Sequence, residues 1–568
     1  MKKRIFLLST ISILSIFCLK AQPLWFDSVK LGIMIHYGLY SVPSYSDKEQ
    51  YAEWFYKGLI SNDTNRINFQ QKVFGKDFSY FDYMKLFKGE MFNADDWAKL
   101  FKDSGAGYVL FSSKHHDGFC LYDSKYTEYT SLNSAANRDF CQELSVATRK
   151  AGLRFGLYYS LMEWTNPIFR WTIDSVGIDS YVNNHLLPQF KEIVDKFKPS
   201  VVFADGDWDF TYQTLRSEQM IDYLTEKVGK DEVAYNDRWG QGFKGGFKTP
   251  EYSSGLKDSK NVWSECRSLS RSFGLNRNSP IEDYLTSKEL IHHFVKLVSL
   301  GGGLMLNVSP SSDGQIPLIQ QERLLDLGSW LKINGKAIYG TKPYEKNFEY
   351  QDMVCPMNDS TINFSWVRNA PVKGASEDNF AISWHNKIYV NKTEIYTIYL
   401  DADDEASLEI KDGNKTIFAN TAKKDSSIVG KVRLKKGKSY EFNLFYKEKD
   451  IDASCHLYWE SKTISKRPIQ SDSSLWNGEL SWQEPYICYT KKDKNLYAIS
   501  LQKLGRIIEM NLPNKPKDNM KVYLLGNEDK PLSWKYNNGK LTVDTSTLHS
   551  IDIKSDYAYV FCLEDYIE

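Results

Sequence analysis

The stretch Ser200–Phe210, SVVFADGDWDF, decides how the first half of this chain is read. Val201, Val202, Phe203 and Ala204 form an apolar run that stops abruptly at Asp205-Gly206-Asp207-Trp208-Asp209. A short continuous apolar run is the pattern of a strand covered on both faces, as in parallel sheets flanked by helices. In a barrel of such strands, catalytic groups sit at the C-terminal strand ends. Asp205 stands at that end. Gly206 ends the strand, so Asp207 and Asp209 fall in the following loop. The three acids also read as solvated loop carboxylates. A calcium loop is a further reading, although the EF-hand glycine and terminal glutamate spacing is missing.

The same punctuation recurs on either side. Strands are expected at Leu31–His36, Tyr108–Ser112, Arg154–Ser160, Ser200–Asp205, Glu232–Asp237, Asn261–Cys266 and Gly303–Val308, with helical patterns between them. Pro188 opens one helix, Phe190, Ile193, Val194 and Phe197 recur at helical spacing, and Pro199 closes it. Thr286 and Glu289 form a capping box ahead of Leu290, Ile291 and Phe294, and the glycines at 301–303 end that helix. Repeated units of this kind predict a (β/α)8-like TIM barrel over residues 22–343. A doubly wound sheet is the alternative, but no GxGxxG follows the first strand. Polar residues gather at the predicted strand ends: His36, Lys114 to Asp117, Tyr158 to Ser160, Asp205, Asn236 to Arg238 and Glu265. Beyond Gly340 short alternating runs replace the helical period, which predicts β-sandwich material.

Lys+Arg and Asp+Glu both number 72 in 568 residues, a balance that argues against a nucleic-acid binder. Aromatic residues make up 14%, including 15 Trp and 36 Tyr, which suits either aromatic β cores or surfaces for sugar rings. Met1 to Arg4 is basic and Ile5 to Leu19 apolar, as in a signal peptide over residues 1–21 with cleavage after Ala21. Phe17 before Cys18 is too large for an ordinary lipobox, which argues against a lipoprotein. The apolar run is short for a membrane span, so the mature chain is expected to be secreted or periplasmic, without membrane insertion. Seven further cysteines are widely spaced, consistent with at most an isolated disulfide.

Paired carboxylates in an extracellular barrel point to glycoside hydrolysis, one attacking the anomeric carbon and the other protonating the leaving oxygen. His115-His116 lacks an HExxH context for zinc; neutral imidazoles here would instead hydrogen-bond sugar hydroxyls, with Trp54 and Trp208 as stacking faces. No metal or cofactor is called for in the barrel.

LGIMIHYGLYSVP, YAEWF, SSKHHDGFCLYDSKYT, FGLYYSLMEW, VVFADGDW, YNDRWG, TPEY, CRSLSRSFGLNR and LGGGLMLNVSPSSDGQIP occur in this order across residues 25–343. This series resembles the α-L-fucosidases of glycoside hydrolase family 29. The resemblance implies a barrel plus C-terminal β-sandwich and a retaining double displacement through a covalent fucosyl-enzyme. It implies Asp205 as nucleophile and His36, Glu53, Trp54, His115, His116, Tyr158 and Arg238 as fucose contacts. Many relatives have Trp where Phe203 stands. The acid/base falls on Glu251, in TPEY, or on Glu265, where Trp263-Ser264-Glu265 replaces a Trp-Glu pair and moves the acid by one residue. Such a slip turns a strand side chain to the opposite face, which favours Glu251. The partner implied is a fucosylated glycan or oligosaccharide.

Residues 379–461 resemble the protective-antigen-type module, through NFAISWHNKIYVNKTEIYTIYLDADDEASLEI and GKVRLKKGKSYEFNLFYKE. The resemblance implies an insert over 376–470 between sandwich segments 344–375 and 475–568. Asp403-Asp404 would be its hallmark acids, linked to calcium and glycan in some relatives or forming a structural turn. Two rival functions stay open at this point: a catalytically silent, lectin-like glycan binder, and a retaining glycosidase on a similar sugar such as a galactoside.

Overall fold

The computed structural model describes residues 22–567 except 49, 168–174, 254, 257–258, 368–369, 425, 450–452 and 471–474. The expected signal peptide, Cys18 included, lies outside the described residues. No helix among those described is long and apolar enough to cross a membrane.

Seven parallel strands form the first domain: β1 Leu31–Ile35, β2 Tyr108–Lys114, β3 Arg154–Ser160, β4 Val201–Asp205, β5 Ala234–Tyr235, β6 Ser264–Ser268 and β7 Gly303–Val308. Their order is β5-β4-β3-β2-β1-β7-β6, with pairs such as Ile33 beside Val109 and Leu157 beside Val202. The two edges, β5 and β6, are joined through residues 247–251. Parallel bridges link Asn236 to Phe247, Lys248 to Trp263 and Glu251 to Cys266. An interrupted eighth segment therefore completes the ring. Two predicted strands differ from this picture. The fifth shrinks to two residues; beyond it the Asn236 side chain takes over the pairing with β4, its Oδ1 accepting from Ala204 N at 2.9 Å and its Nδ2 donating to Ala204 O at 2.8 Å. The sixth begins three residues later, since the loop before it is taken up by the closing segment.

Alternation along each strand sorts side chains between two cores. Met34, Tyr108, Leu110, Tyr158, Val201, Phe203, Cys266 and Met305 pack together inside the barrel. Val109, Leu157, Tyr159, Val202 and Ala204 face the helices, in a larger core with Phe190, Ile193, Leu290 and Phe294. At Gly32 an added Cβ would lie 2.1 Å from the Tyr108 ring, so this glycine makes room for a large neighbour inside the barrel. The helix Leu187–Phe197 ends as expected before Pro199, and the Thr286 capping box is present at the helix Ser287–Ser299.

From Lys342 onward the chain is β. Strand Lys342–Asp359, 18 residues long, pairs with the 17-residue strand Trp476–Lys492 along almost its whole length. The first half of Trp476–Lys492 also pairs with Phe380–Tyr389, and the second half with Asn495–Ser500. Met357, Trp476, Leu480 and Trp482 belong to the same core as Trp384, Phe442 and Trp459. Tyr344, Ile487 and Tyr489 belong to the next core, with Leu541 and Phe561. Two long strands serve both cores, and a register shift between Pro485 and Ile487 marks the passage from one to the other. All seven described cysteines are free thiols.

Candidate active site

On β4 the alternation that turns Val201 and Phe203 into the barrel turns Asp205 the same way, at the strand's C-terminal end. Gly206 follows with φ +82°, the left-handed turn that ends the strand. Asp207 and Asp209 lie in the loop beyond it. Asp205 is only 8% exposed. Its Oδ2 accepts from the Tyr158 hydroxyl at 2.7 Å and lies 3.5 Å from His116 Nε2; its Oδ1 accepts from Arg238 Nη1 at 3.2 Å. Burial alone would raise the pKa of this carboxyl, but Arg238, His116 and Tyr158 together outweigh it and hold Asp205 well below the ordinary carboxylate range. A buried carboxylate kept ionised and placed at a barrel mouth has the properties of a nucleophile.

Arg238 serves a second acid. Its Nη2 donates to Glu251 Oε2 at 3.0 Å, and the Tyr51 hydroxyl donates to Glu251 Oε1 at 2.7 Å. Thr249 fixes the guanidinium from below, through its hydroxyl to Nε at 3.0 Å and its carbonyl to Nη2 at 3.1 Å. Phe203 lies 5.1 Å from the guanidinium carbon and 5.8 Å from the Tyr158 ring, giving the pair an aromatic floor. Asp205 and Glu251 are thus bridged by one arginine.

Glu265 has a different setting. β6 alternation turns Cys266 inward, where its sulfur accepts from Arg238 at 3.5 Å, and sends Glu265 to the outer face. There Glu265 is fully buried. It accepts from Arg267 Nε at 3.0 Å and Ser253 N at 2.9 Å, and lies 2.5 Å from His293 Nε2. Burial would raise its pKa, but Arg267 and His293 hold it low. The structure brings Glu251 to Asp205 and leaves Glu265 against a helix.

The remaining predicted contacts ring the mouth. His36 is fixed by Asn307 at 2.7 Å, and burial lowers its pKa to about 4. His115 is likewise pushed well below its usual value by burial and by His116 and His36; its buried Nδ1 has no hydrogen-bond partner. Both imidazoles are neutral near pH 7. His116 Nδ1 lies 2.7 Å from the Ser160 hydroxyl, which leaves Nε2 for Asp205. Glu53 accepts from Gly274 N at 2.7 Å and Ser272 Oγ at 3.1 Å, and burial raises its pKa to about 7. Trp54 packs at 5.1 Å from Trp164 and 5.6 Å from Trp208, which is 42% exposed. Lys114, in the KHHDGF run, turns away to Glu163 and Gln189 and braces the loop carrying Trp164. Tyr51, Thr249 and Cys266 were not among the predicted residues. Tyr51 and Thr249 sit in the YAEWF and TPEY runs, which was the only sequence signal for them.

In the β region, Asp403, Asp404 and Glu448 bring carboxylate oxygens within 4.8 Å of one another. Asp404 Oδ1 and Glu448 Oε1 are buried without a hydrogen-bond partner. Burial, then repulsion from Asp403, Asp404 and Asp378, raises Glu448 to about 8 despite the Tyr446 hydroxyl. Three converging carboxylates, two of which carry a buried oxygen without a hydrogen-bond partner, fit a hard divalent cation.

Three family profiles match the chain: alpha-L-fucosidase over residues 17–336, PA14 domain over 335–473 and alpha-L-fucosidase C-terminal domain over 482–564. An alpha-L-fucosidase of Dictyostelium discoideum is 36% identical over 413 residues, 70% of this chain and 88% of that protein. The plasma alpha-L-fucosidase of Homo sapiens is 38% identical over 361 residues, 61% of this chain and 74% of that protein. The crystal structure of Thermotoga maritima alpha-fucosidase with a mechanism-based inhibitor matches with a TM-score of 0.63 at 26% identity. That match covers 96% of this chain and 97% of the other.

Proposed function

Because this chain belongs to the alpha-L-fucosidase family and is a retaining glycoside hydrolase for α-L-fucosides, we propose that Asp205 is its nucleophile and Glu251 its acid/base. The observation that carries this reading is Arg238, shared between an ionised carboxylate at a strand end and a second carboxylate facing it.

In the first step Asp205 attacks the anomeric carbon of a terminal fucosyl residue, while Glu251 gives its proton to the leaving oxygen. The carbon–oxygen bond to the leaving group breaks as the ester bond to Asp205 forms. Esterification neutralises Asp205, and Glu251 becomes the sole anionic partner of Arg238 at the mouth. That is the arrangement a base requires. In the second step Glu251 takes a proton from water, which attacks the same carbon and releases Asp205 as the carboxylate. The net inversions cancel, and configuration is retained. His36 and His115, being neutral, exchange hydrogen bonds with hydroxyls without adding charge. His116 and Tyr158 hold Asp205, Glu53 accepts from a sugar hydroxyl, and Trp54 and Trp208 supply apolar faces for ring C–H groups.

The chain is further proposed to be exported through a cleaved leader at residues 1–21 and to act on fucosylated glycans outside the cytoplasm. The PA14-type module is placed as an insert over about residues 376–470 that borrows strands from the fucosidase sandwich. The test is turnover of an aryl α-L-fucoside and the corresponding galactoside by the purified chain and by Glu251→Ala and Glu265→Ala, with and without azide. Fucoside turnover, with azide rescue confined to Glu251→Ala, is expected, because azide attacks the fucosyl-enzyme in place of water, needs no general base and releases Asp205 as the carboxylate. Rescue of Glu265→Ala alone would move the acid/base role to Glu265. Absence of turnover in the native chain would leave the silent binder, and preference for the galactoside would change the sugar.

A further inference from the structure

Glu265 does not face the mouth, yet it grips the segment that carries Glu251. Its Oε1 accepts from Ser253 N, two residues beyond Glu251, at 2.9 Å. On the other side of Glu251, Cys266 N donates to Pro250 O at 2.9 Å. Between these two holds, Tyr252 sits at φ +45°, a conformation a tyrosine keeps only when its surroundings fix it. β6 therefore clamps the Glu251 loop from both ends, and one of the two clamps is the Glu265 carboxylate.

That carboxylate is itself held by a chain of charges that leaves the barrel. Arg267 Nε donates to Glu265, and Arg267 Nη2 donates to Glu377 Oε2 at 2.9 Å. Arg271 Nη1 lies 3.6 Å from the other oxygen of Glu377. Arg267 is 3% exposed, so its guanidinium cannot turn to water if a partner is lost. Glu377 lies three residues before strand Phe380–Tyr389, the strand that joins the sheet of the inserted region. Burial works against its charge, but Arg267 and Arg271 hold it ionised.

We infer that Glu377, from the inserted region, is a positioning residue for the proton donor: through Arg267 and Glu265 it fixes the loop that aims Glu251 at the leaving oxygen. The inference rests on the assignment of Glu251 above. Deleting Glu377 leaves a buried guanidinium with one carboxylate in place of two. Arg267 then re-centres on Glu265 and loosens its hold on Ser253. Asp205 takes no direct contact from this chain, being held by Arg238, His116 and Tyr158, so proton delivery is the step on which the chain bears most.

The experiment uses the full chain as Glu377→Ala, Glu377→Gln and Glu251→Ala, with two aryl fucosides. Dinitrophenyl fucoside departs without a proton, whereas phenyl fucoside needs one. For Glu377→Ala the expected loss in kcat/KM is about 10-fold on the phenyl fucoside and less than about 2-fold on the dinitrophenyl fucoside. Glu377→Gln, which keeps the shape and an acceptor for Arg267, should fall between Glu377→Ala and the native chain. It also serves as the test variant if Glu377→Ala does not fold. Glu251→Ala should show the same split, larger. Equal losses on the two substrates, or none on either, would overturn the inference while a split in Glu251→Ala leaves the acid assignment standing. No split in Glu251→Ala would remove the acid assignment itself, and the inference with it.

Discussion

The barrel mouth and the inserted module each gather carboxylates in buried surroundings, and they treat them in opposite ways. At the mouth Arg238 lies between Asp205 and Glu251, and behind it Arg267 and His293 enclose Glu265. In the module, Asp403, Asp404 and Glu448 face one another, and burial, followed by repulsion from the neighbouring acids, lets Glu448 keep its proton to about pH 8. The difference teaches that burial alone does not define a catalytic carboxylate. Burial works to raise Asp205, Glu265 and Glu448 alike; a built-in guanidinium beside the first two keeps them ionised. A cluster without such a cation is suited to take one from solution.

Breaking the mouth should have the largest effect. Asp205→Ala is expected to lower kcat for an aryl fucoside by at least about 10³-fold, since it removes the proposed nucleophile. The corresponding change at Asp207 or Asp209 should cost little, and a comparable loss there would break the distinction between strand end and loop. Glu251→Ala is expected to lose about 10²–10⁴-fold on substrates that need a protonated leaving group. Glu265→Ala sharpens the contrast between the two glutamates. Its main expected effect is on stability, about 3–5 kcal/mol in a denaturant melt, because Arg267 is left buried beside a missing partner. An unchanged melt with full loss of turnover would contradict the role given to it here.

The smallest effect concerns the module. Glu448 titrates near 4.5 when unfolded and near 8 when folded, so between those pH values the folded chain binds the extra proton. Stability must then fall as pH rises through that window. In chelator, Glu448→Gln should flatten this contribution to the melting profile. Millimolar calcium should raise the melting temperature of the native chain more at pH 8 than at pH 5, because the metal competes with the proton. A calcium effect unchanged in Glu448→Gln, or none in the native chain, would separate the acid cluster from cation binding.

The position of Asp205 was legible because two simple periods converge on it: strand alternation selects its face, and Gly206 ends the strand just after it. His36, Tyr158 and Arg238 follow from similar strand ends. Glu251 was legible only through its TPEY setting. It lies on a segment that joins the barrel through isolated bridges, where Gly245, Gly246 and Pro250 erase any alternating pattern. The face taken by Glu265 hung on a one-residue choice of register, which β6 settles by sending Cys266 inward. The sharing of long strands between the module and its neighbour was hidden for another reason. Prolines at 343, 356 and 485 interrupt the pattern of two strands that bend past two cores.

The central claim is that Asp205 forms the covalent intermediate. Incubation with 2-fluoro-fucosyl fluoride, followed by proteolysis and peptide mass spectrometry, tests it directly. The account predicts one fluorofucosyl adduct per chain, on Asp205, with fragment ions that exclude Asp207 and Asp209. An adduct on either loop aspartate, on Glu251 or on Glu265 would contradict it.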